Sequence, residues 1–311
     1  MIEDNEIKTE ISPFAIRQGE VKTFDGKDGY VSMNQIIHKI NIGHISDVHF
    51  KIMETVNEFE FITSRQLLQI LQYKGEEVNS QDKLNNKLEQ LVKSKILTRY
   101  YFTSEEGKGI YRIYCLEKMG KYLLNSRGIE CKWQPTDNTK PIGMIKKRLA
   151  GNQAIIAYLR KVKAFDSYIV KPAITAKKMG KVFKANGGVK ISKSGKSIDL
   201  IFEAVRREEE WDKKLIERMK LYQDFYESFV TLDCGYKLPP QLILICEDEK
   251  HMIETFKIIV TNNLEIPEIK ILFSTDLKQN SETISNTLTE FKLDEETGKY
   301  KKENVEIKIL G

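Results

Sequence analysis

Gln81, Lys83, Asn85, Asn86 and Lys87 alternate with Leu84 and Leu88 over one short stretch of the chain. A carboxamide donates and accepts at once, which matches the N6 and N7 edge of adenine, and an ammonium group reaches the guanine acceptors in a DNA major groove. Leu84, Leu88 and Leu91 repeat at helical spacing, so the polar set falls on the opposite face of one helix. Arg99, Lys108 and Arg112 follow, with Tyr100 among them, where a strand–turn–strand pattern suits backbone or minor-groove contact. Ser64 and Arg65, at the start of the preceding helix, complete the candidate DNA-binding set. The alternative for every one of these residues is an ordinary solvated face.

The elements that would position them read as one winged helix-turn-helix. Val48, Ile52, Met53, Val56 and Phe59 mark a first helix over 46–60. Thr63 or Ser64 can cap a second helix built on Leu67, Leu68, Ile70 and Leu71. A polar turn over 74–79 leads to a third helix capped by Ser80. Residues 96–103 and 110–116 read as a hairpin around the turn 105–109, and a last helix over 118–127 stops at Gly128. Charge agrees with this placement. Residues 61–150 hold 17 Lys and Arg against 9 Asp and Glu, whereas the first 60 residues net −5 and those after 150 net +2. Cations displace counterions from phosphates, which adds affinity without sequence information.

At 311 residues, 41% hydrophobic and 31% charged, the chain is long enough for two domains with ordinary cores. No run approaches the roughly 18 apolar residues of a membrane helix. The acidic start, Met1 to Glu6, lacks the basic and apolar parts of a signal peptide, so the cytoplasm is the expected compartment and no membrane partner is expected. Cys115, Cys131, Cys234 and Cys246 form no CxxC pair, which argues against zinc and disulfides. His38, His44 and His49 lie six and five residues apart and do not share a helix face, so no metal site is expected there. No phosphate-binding GxxxxGK[ST] loop, GxSxG elbow or HExxH helix occurs.

Residues 1–44 read as a polar arm, 45–130 as the winged domain, and 131–143, with two prolines and an Asp-Asn-Thr cluster, as a linker. From 144 to 311 the pattern is helix 144–162, strand 167–170, a second strand around Phe183 and 189–192, a turn at 193–196, strand 197–205, helix 207–229, strand 241–246, helix 250–262 and strand 269–273. That order is an α/β sandwich on a mixed sheet, the element order of restriction-endonuclease-like nucleases. The expected fold class is therefore α+β, a winged helix-turn-helix followed by an endonuclease-like α/β domain.

On these residues the chain resembles the replication-relaxation family of plasmid and mobile-element proteins, related to mobilisation relaxases with an endonuclease-like fold. The resemblance rests on Phe61-Ile62-Thr63-Ser64-Arg65-Gln66-Leu67-Leu68, Lys87-Leu88-Glu89-Gln90-Leu91, Ile96-Leu97-Thr98-Arg99 and Leu116-Glu117-Lys118-Met119-Gly120 in the front half. In the back half it rests on Phe202-Glu203-Ala204-Val205-Arg206 and Arg218-Met219-Lys220-Leu221-Tyr222, and together these span about 45–275. It implies binding at an origin of transfer or replication, with strand cleavage as the accompanying chemistry where the metal site is intact.

Metal-dependent phosphodiester cleavage needs carboxylates on adjacent strands to hold Mg²⁺, commonly with a lysine. Where the family pattern implies Pro-Asp-Gly this chain has Ala185-Asn186-Gly187-Gly188, and Val205 stands where an acid or lysine is implied. Asp199 and Glu203 are the remaining catalytic candidates, on one face of a strand and about 13 Å apart at roughly 3.3 Å per residue, too far to share one ion. Glu217 on the next helix is a distant third carboxylate. The bland reading makes Asp199 a surface acid and pairs Glu203 with Arg206 or Arg218. A Tyr nucleophile has no His cluster beside it, and Tyr222 with Tyr226 has core spacing. The preferred reading is a sequence-specific double-stranded DNA-binding protein on a degenerate nuclease scaffold, without a cofactor. The alternative is a nicking enzyme requiring Mg²⁺, and a homodimer is expected only if the target is an inverted repeat.

Overall fold

The computed structural model describes residues 12–105, 107–108, 111–230, 235–280, 283–284, 286–294 and 298–305. It is a mixed α+β protein whose chain divides into two compact units, one spanning Ile16–Leu149 and the other Ala150–Gly311 together with the residues up to Ala15.

In the first unit the order is β1 (Val21–Phe24), α1 (Met33–Asn41), α2 (Asp47–Phe59), β2 (Ile62–Thr63), α3 (Ser64–Tyr73), α4 (Gln81–Lys93), β3 (Leu97–Ser104), β4 (Gly107–Lys108), β5 (Ile113–Leu116) and α5 (Lys118–Ser126). Hydroxyl side chains start the helices. Ser32 and Gln35 form a reciprocal box at α1, Thr63 and Gln66 do so at α3, and the Ser80 hydroxyl accepts the Lys83 N–H at α4. The helices close over Ile52, Met53, Val56, Phe59, Leu67 and Leu88, all fully buried. An antiparallel sheet in the order β1-β3-β5-β2 completes the unit, with β4 turning back on β3.

Two expectations change here. Residues 12–44, expected within a polar arm, supply the edge strand β1, paired from Val21↔Thr103 to Phe24↔Tyr100, and the capped helix α1. A four-residue strand and a helix burying only Ile36 leave too little periodicity to read. Residues 131–143, expected as a linker, contain the 3-10 turn Pro135–Thr139. Its buried Asn138 accepts from Trp133 Nε1 at 3.1 Å and donates to the Leu116 carbonyl at 3.1 Å. The boundary between the units falls instead inside α6 (Ile142–Lys161).

The second unit continues with β6 (Phe165–Ile169), β7 (Ala173–Ala176), β8 (Lys181–Lys184), β9 (Gly187–Lys193), β10 (Lys196–Ala204), α7 (Trp211–Glu227), β11 (Gln241–Cys246), α8 (Glu249–Thr261), β12 (Leu272–Thr275), α9 (Asp276–Asn280), β13 (Leu288–Asp294) and β14 (Lys299–Val305). Seven strands form a mixed sheet in the order β14-β13-β12-β11-β10-β9-β6, parallel at β10–β11 and β11–β12. The unbroken apolar run of β11 suits a central strand covered on both faces, and Leu242 to Cys246 are fully buried. Phe183 lies in neither β9 nor the main sheet. It belongs to β8, which pairs with β7 in a separate two-stranded sheet.

Candidate nucleic-acid interface

Helix α4 separates its two faces cleanly. Leu84, Leu88 and Leu91 are fully buried, while Lys83, Asn85 and Asn86 are exposed and Gln81 and Lys87 half-buried. Gln81 Nε2 donates to Asn85 Oδ1 at 3.0 Å, so two of the candidate amides already hold each other on the surface. Arg65 is exposed on α3 and Ser64 is half-buried at its first residue, the cap itself being Thr63. Below this face, His49 accepts the Ser46 N–H at Nδ1 and meets Gln90 Oε1 through Nε2 at 2.7 Å. Burial lowers the His49 pKa, so the neutral ring serves as a strut beneath α4 and not as a ligand. Among the described residues no group of three or more His, Cys, Asp or Glu side chains is placed to hold a metal ion.

The arginines beside the hairpin are less free than their spacing suggests. Arg99 reaches Glu89 on α4 at 2.7 Å and both the carbonyl and the carboxylate of Asp25 at 2.9 Å. The Arg99 hydrogen bond holds Glu89 below the usual carboxylate range. Arg99 is therefore a brace between α4, β3 and the end of β1, and it leaves the set of candidate DNA contacts. Arg112 shares Asp25 at 2.6 Å yet keeps 59% of its side chain exposed, which retains it as a surface cation. Lys108 pairs with Thr103 across β3–β4 through its backbone. Asp25 was invisible as an organiser because it comes from the segment with no readable pattern. The same segment supplies Glu20, which meets the buried Lys146 ammonium at 2.5 Å. Over Ile16–Leu149 the balance is 22 Lys and Arg against 16 Asp and Glu.

In the second unit the two candidate acids stand apart on β10. Asp199 lies opposite Lys190 of β9 and lines a cavity of about 180 Å³ with Tyr168, Lys190, Ser197 and Tyr236. Partial burial raises its pKa against the pull of Lys190. Glu203 is buried, and its Oε2 accepts from Arg218 at 2.9 Å and from the Tyr222 hydroxyl at 2.8 Å. Of the two partners expected for it, Arg218 is the one present. Arg206 is fully buried elsewhere, donating to Asp276 at 2.8 Å. Burial pushes the Tyr222 phenol well above its ordinary range, with the Glu203 carboxylate adding to the effect, so it stays protonated and donates. Asn186, at the position where the family pattern implies an acid, accepts the Ala204 N–H at 2.8 Å. Its amide closes the sheet end and bears no charge for a cation.

An ionic cluster not anticipated from the sequence sits just past the ends of the parallel strands. Asp276 also accepts from Ser12, and burial raises its pKa to about 6. Arg207 is held by Asp248 at 2.5 Å and Glu254 at 3.0 Å. His251 accepts the Glu247 N–H, packs edge-on against Trp211, and is pushed by burial down to about 3. Strand ends are where open α/β sheets bind ligands, and here most of the charges close on one another, with buried Arg206 Nε and His251 Nε2 making no hydrogen bond among the described residues. Such a cluster has no linear signature, since its members come from residue 12, from the ends of β10, β11 and β12, and from α8.

Among the described residues no helix is long and apolar enough to cross a membrane. No protein-family model, curated protein or solved structure matches this chain.

Proposed function

We propose that this chain is a sequence-specific double-stranded DNA-binding protein. In this reading α2, α3 and α4 form the helix-turn-helix core, α4 is the reading helix, and β3 with β4 and β5 is the wing. The observation that carries it is α4 itself, a capped helix with one face locked in the core and Lys83, Asn85 and Asn86 exposed on the other. The net +6 of Ile16–Leu149 supports a polyanionic partner. The order α6–β6–β9–β10–α7–β11 supports an endonuclease-like scaffold for the second unit, with Glu203 and Asn186 committed to the fold. The resemblance of the front and back halves to replication-relaxation proteins supports a role in replication, mobilisation or its regulation on a plasmid or mobile element.

Selection from a pool of random duplexes tests the reading. The full chain is expected to enrich a defined sequence, and Asn85→Ala/Asn86→Ala/Lys87→Ala to lose that enrichment while keeping its circular dichroism. Each lost base contact is worth about 1–3 kcal/mol, roughly 5- to 150-fold in discrimination. Enrichment of the same sequence by the triple variant would remove α4 as the reader. An enriched inverted repeat would add a homodimer to the reading.

A further inference from the structure

The second unit is close to neutral overall, with 28 Lys and Arg against 29 Asp and Glu, and this average conceals a sharp segregation. Residues 167–198 contain eight lysines and no Asp, Glu or Arg. Five of the eight, Lys171, Lys177, Lys178, Lys181 and Lys184, fall on or beside the β7–β8 hairpin, which pairs with neither large sheet.

The hairpin is held rigid from beneath. Ile174, Ala176 and Phe183 are buried, and Phe183 packs edge-on against Tyr222 at 5.0 Å. The buried Asp224 carboxylate accepts the N–H groups of Lys178 and Met179 at 3.0 and 2.7 Å, which fixes the turn. At the base, Arg218 donates to the Lys184 carbonyl, and Ala185 N–H to the Pro172 carbonyl at 3.0 Å. The outer face carries Thr175, Val182 and Lys184, whereas Lys181, opposite Ala176, falls on the Phe183 side and is exposed beside the turn. Lys178 is paired with Glu227 at 2.7 Å, whereas among the described residues no carboxylate lies within ion-pair distance of Lys181 or Lys184. A two-stranded ribbon bearing the exposed Lys181 and Lys184 ammonium groups suits a duplex groove in width and its phosphates in charge.

We propose that the β7–β8 hairpin is a second DNA contact, in which Lys181 and Lys184 engage the phosphodiester backbone of duplex DNA independently of α4. This rests on the reading of duplex DNA as the ligand, and it assigns the second unit a part in binding. The contact is one of charge, so it strengthens binding to any sequence equally.

The test measures binding of the full chain to a mixed-sequence duplex of about 30 base pairs across a series of KCl concentrations. Each phosphate contact contributes about 0.9 to the slope of log affinity against log salt. Lys181→Ala/Lys184→Ala is expected to flatten that slope by about 2 and to weaken binding about 10-fold near 0.1 M salt. The matching Lys181→Arg/Lys184→Arg double should retain both, and the α4 triple should change the slope by no more than about 1. A hairpin variant with wild-type slope and affinity would overturn the proposal, while loss of sequence selection in the α4 variant would leave the DNA reading standing. A wild-type chain that fails to bind the duplex at all would overturn both.

Discussion

Glu203 is 6% exposed, and two donors, Arg218 at 2.9 Å and Tyr222 at 2.8 Å, converge on one of its carboxylate oxygens. Arg218 in turn lies over the Phe183 ring at 4.5 Å, so the three side chains and the hairpin base form one assembly. Removing the carboxylate strands a largely covered guanidinium. Glu203→Ala is expected to cost roughly 3 kcal/mol, the low end for orphaning a buried ion-pair partner, because Arg218 keeps 22% of its side chain in water. Glu203→Gln keeps an acceptor for Tyr222 and should cost less. Urea unfolding of the two variants checks the order, and a Glu203→Ala protein as stable as wild type would show that the carboxylate is not structural. The sequence made Glu203 legible as an acid on an apolar strand, and left Arg206 and Arg218 as equal partners. Choosing between them needs the third dimension, since Arg206 turns to Asp276, which lies 70 residues on.

Helix α6 approaches the turn before β9 so closely that a Cβ at Gly151 would land on the carbonyl oxygen of Asn186. Backbone cannot rotate away as a side chain can, so the helix and the strand entry would have to separate. Gly151→Ala is expected to destabilise by about 1–3 kcal/mol through overpacking, against a helix-propensity gain of about 1 kcal/mol. A thermal midpoint at or above wild type would show that the contact yields. The elements legible beforehand are those with long apolar repeats or strong punctuation: α2, α3, α4, β10, β11 and α8 fall within a few residues of expectation. Those missed are β1, α1, the β7–β8 hairpin and the β13–β14 pair. Their strands are short or lysine-rich, and their packing partners lie far along the chain. Phe183 shows the difficulty, because its burial depends on Tyr222 and Arg218 of α7.

Charge is distributed on a larger scale than either site. The net of +5 resolves into +6 for Ile16–Leu149 and −1 for the rest, and within the latter the +8 of 167–198 stands against −9 elsewhere. The 161 residues after position 150 net only +2, because acidic residues elsewhere in that span cancel most of the lysine-rich stretch. Positive charge is thus concentrated in the first unit and in one stretch of the second, whereas the carboxylates that cleavage would require are separated or engaged: Asp199 faces Lys190, and Glu203 is paired with Arg218. The two readings of the molecule therefore diverge on a supercoiled plasmid carrying the DNA that neighbours its own gene. With Mg²⁺, Mn²⁺ or EDTA present, the chain is expected to leave the plasmid supercoiled while protecting a defined segment from a footprinting nuclease or, in EDTA, from hydroxyl radicals. A nicked circle that forms only with the divalent ion, and persists in Glu203→Gln, would place cleavage at a carboxylate other than Glu203. Nicking lost in Glu203→Gln, with stability preserved, would instead make the Glu203–Arg218 pair a latent catalytic site that opens when DNA binds.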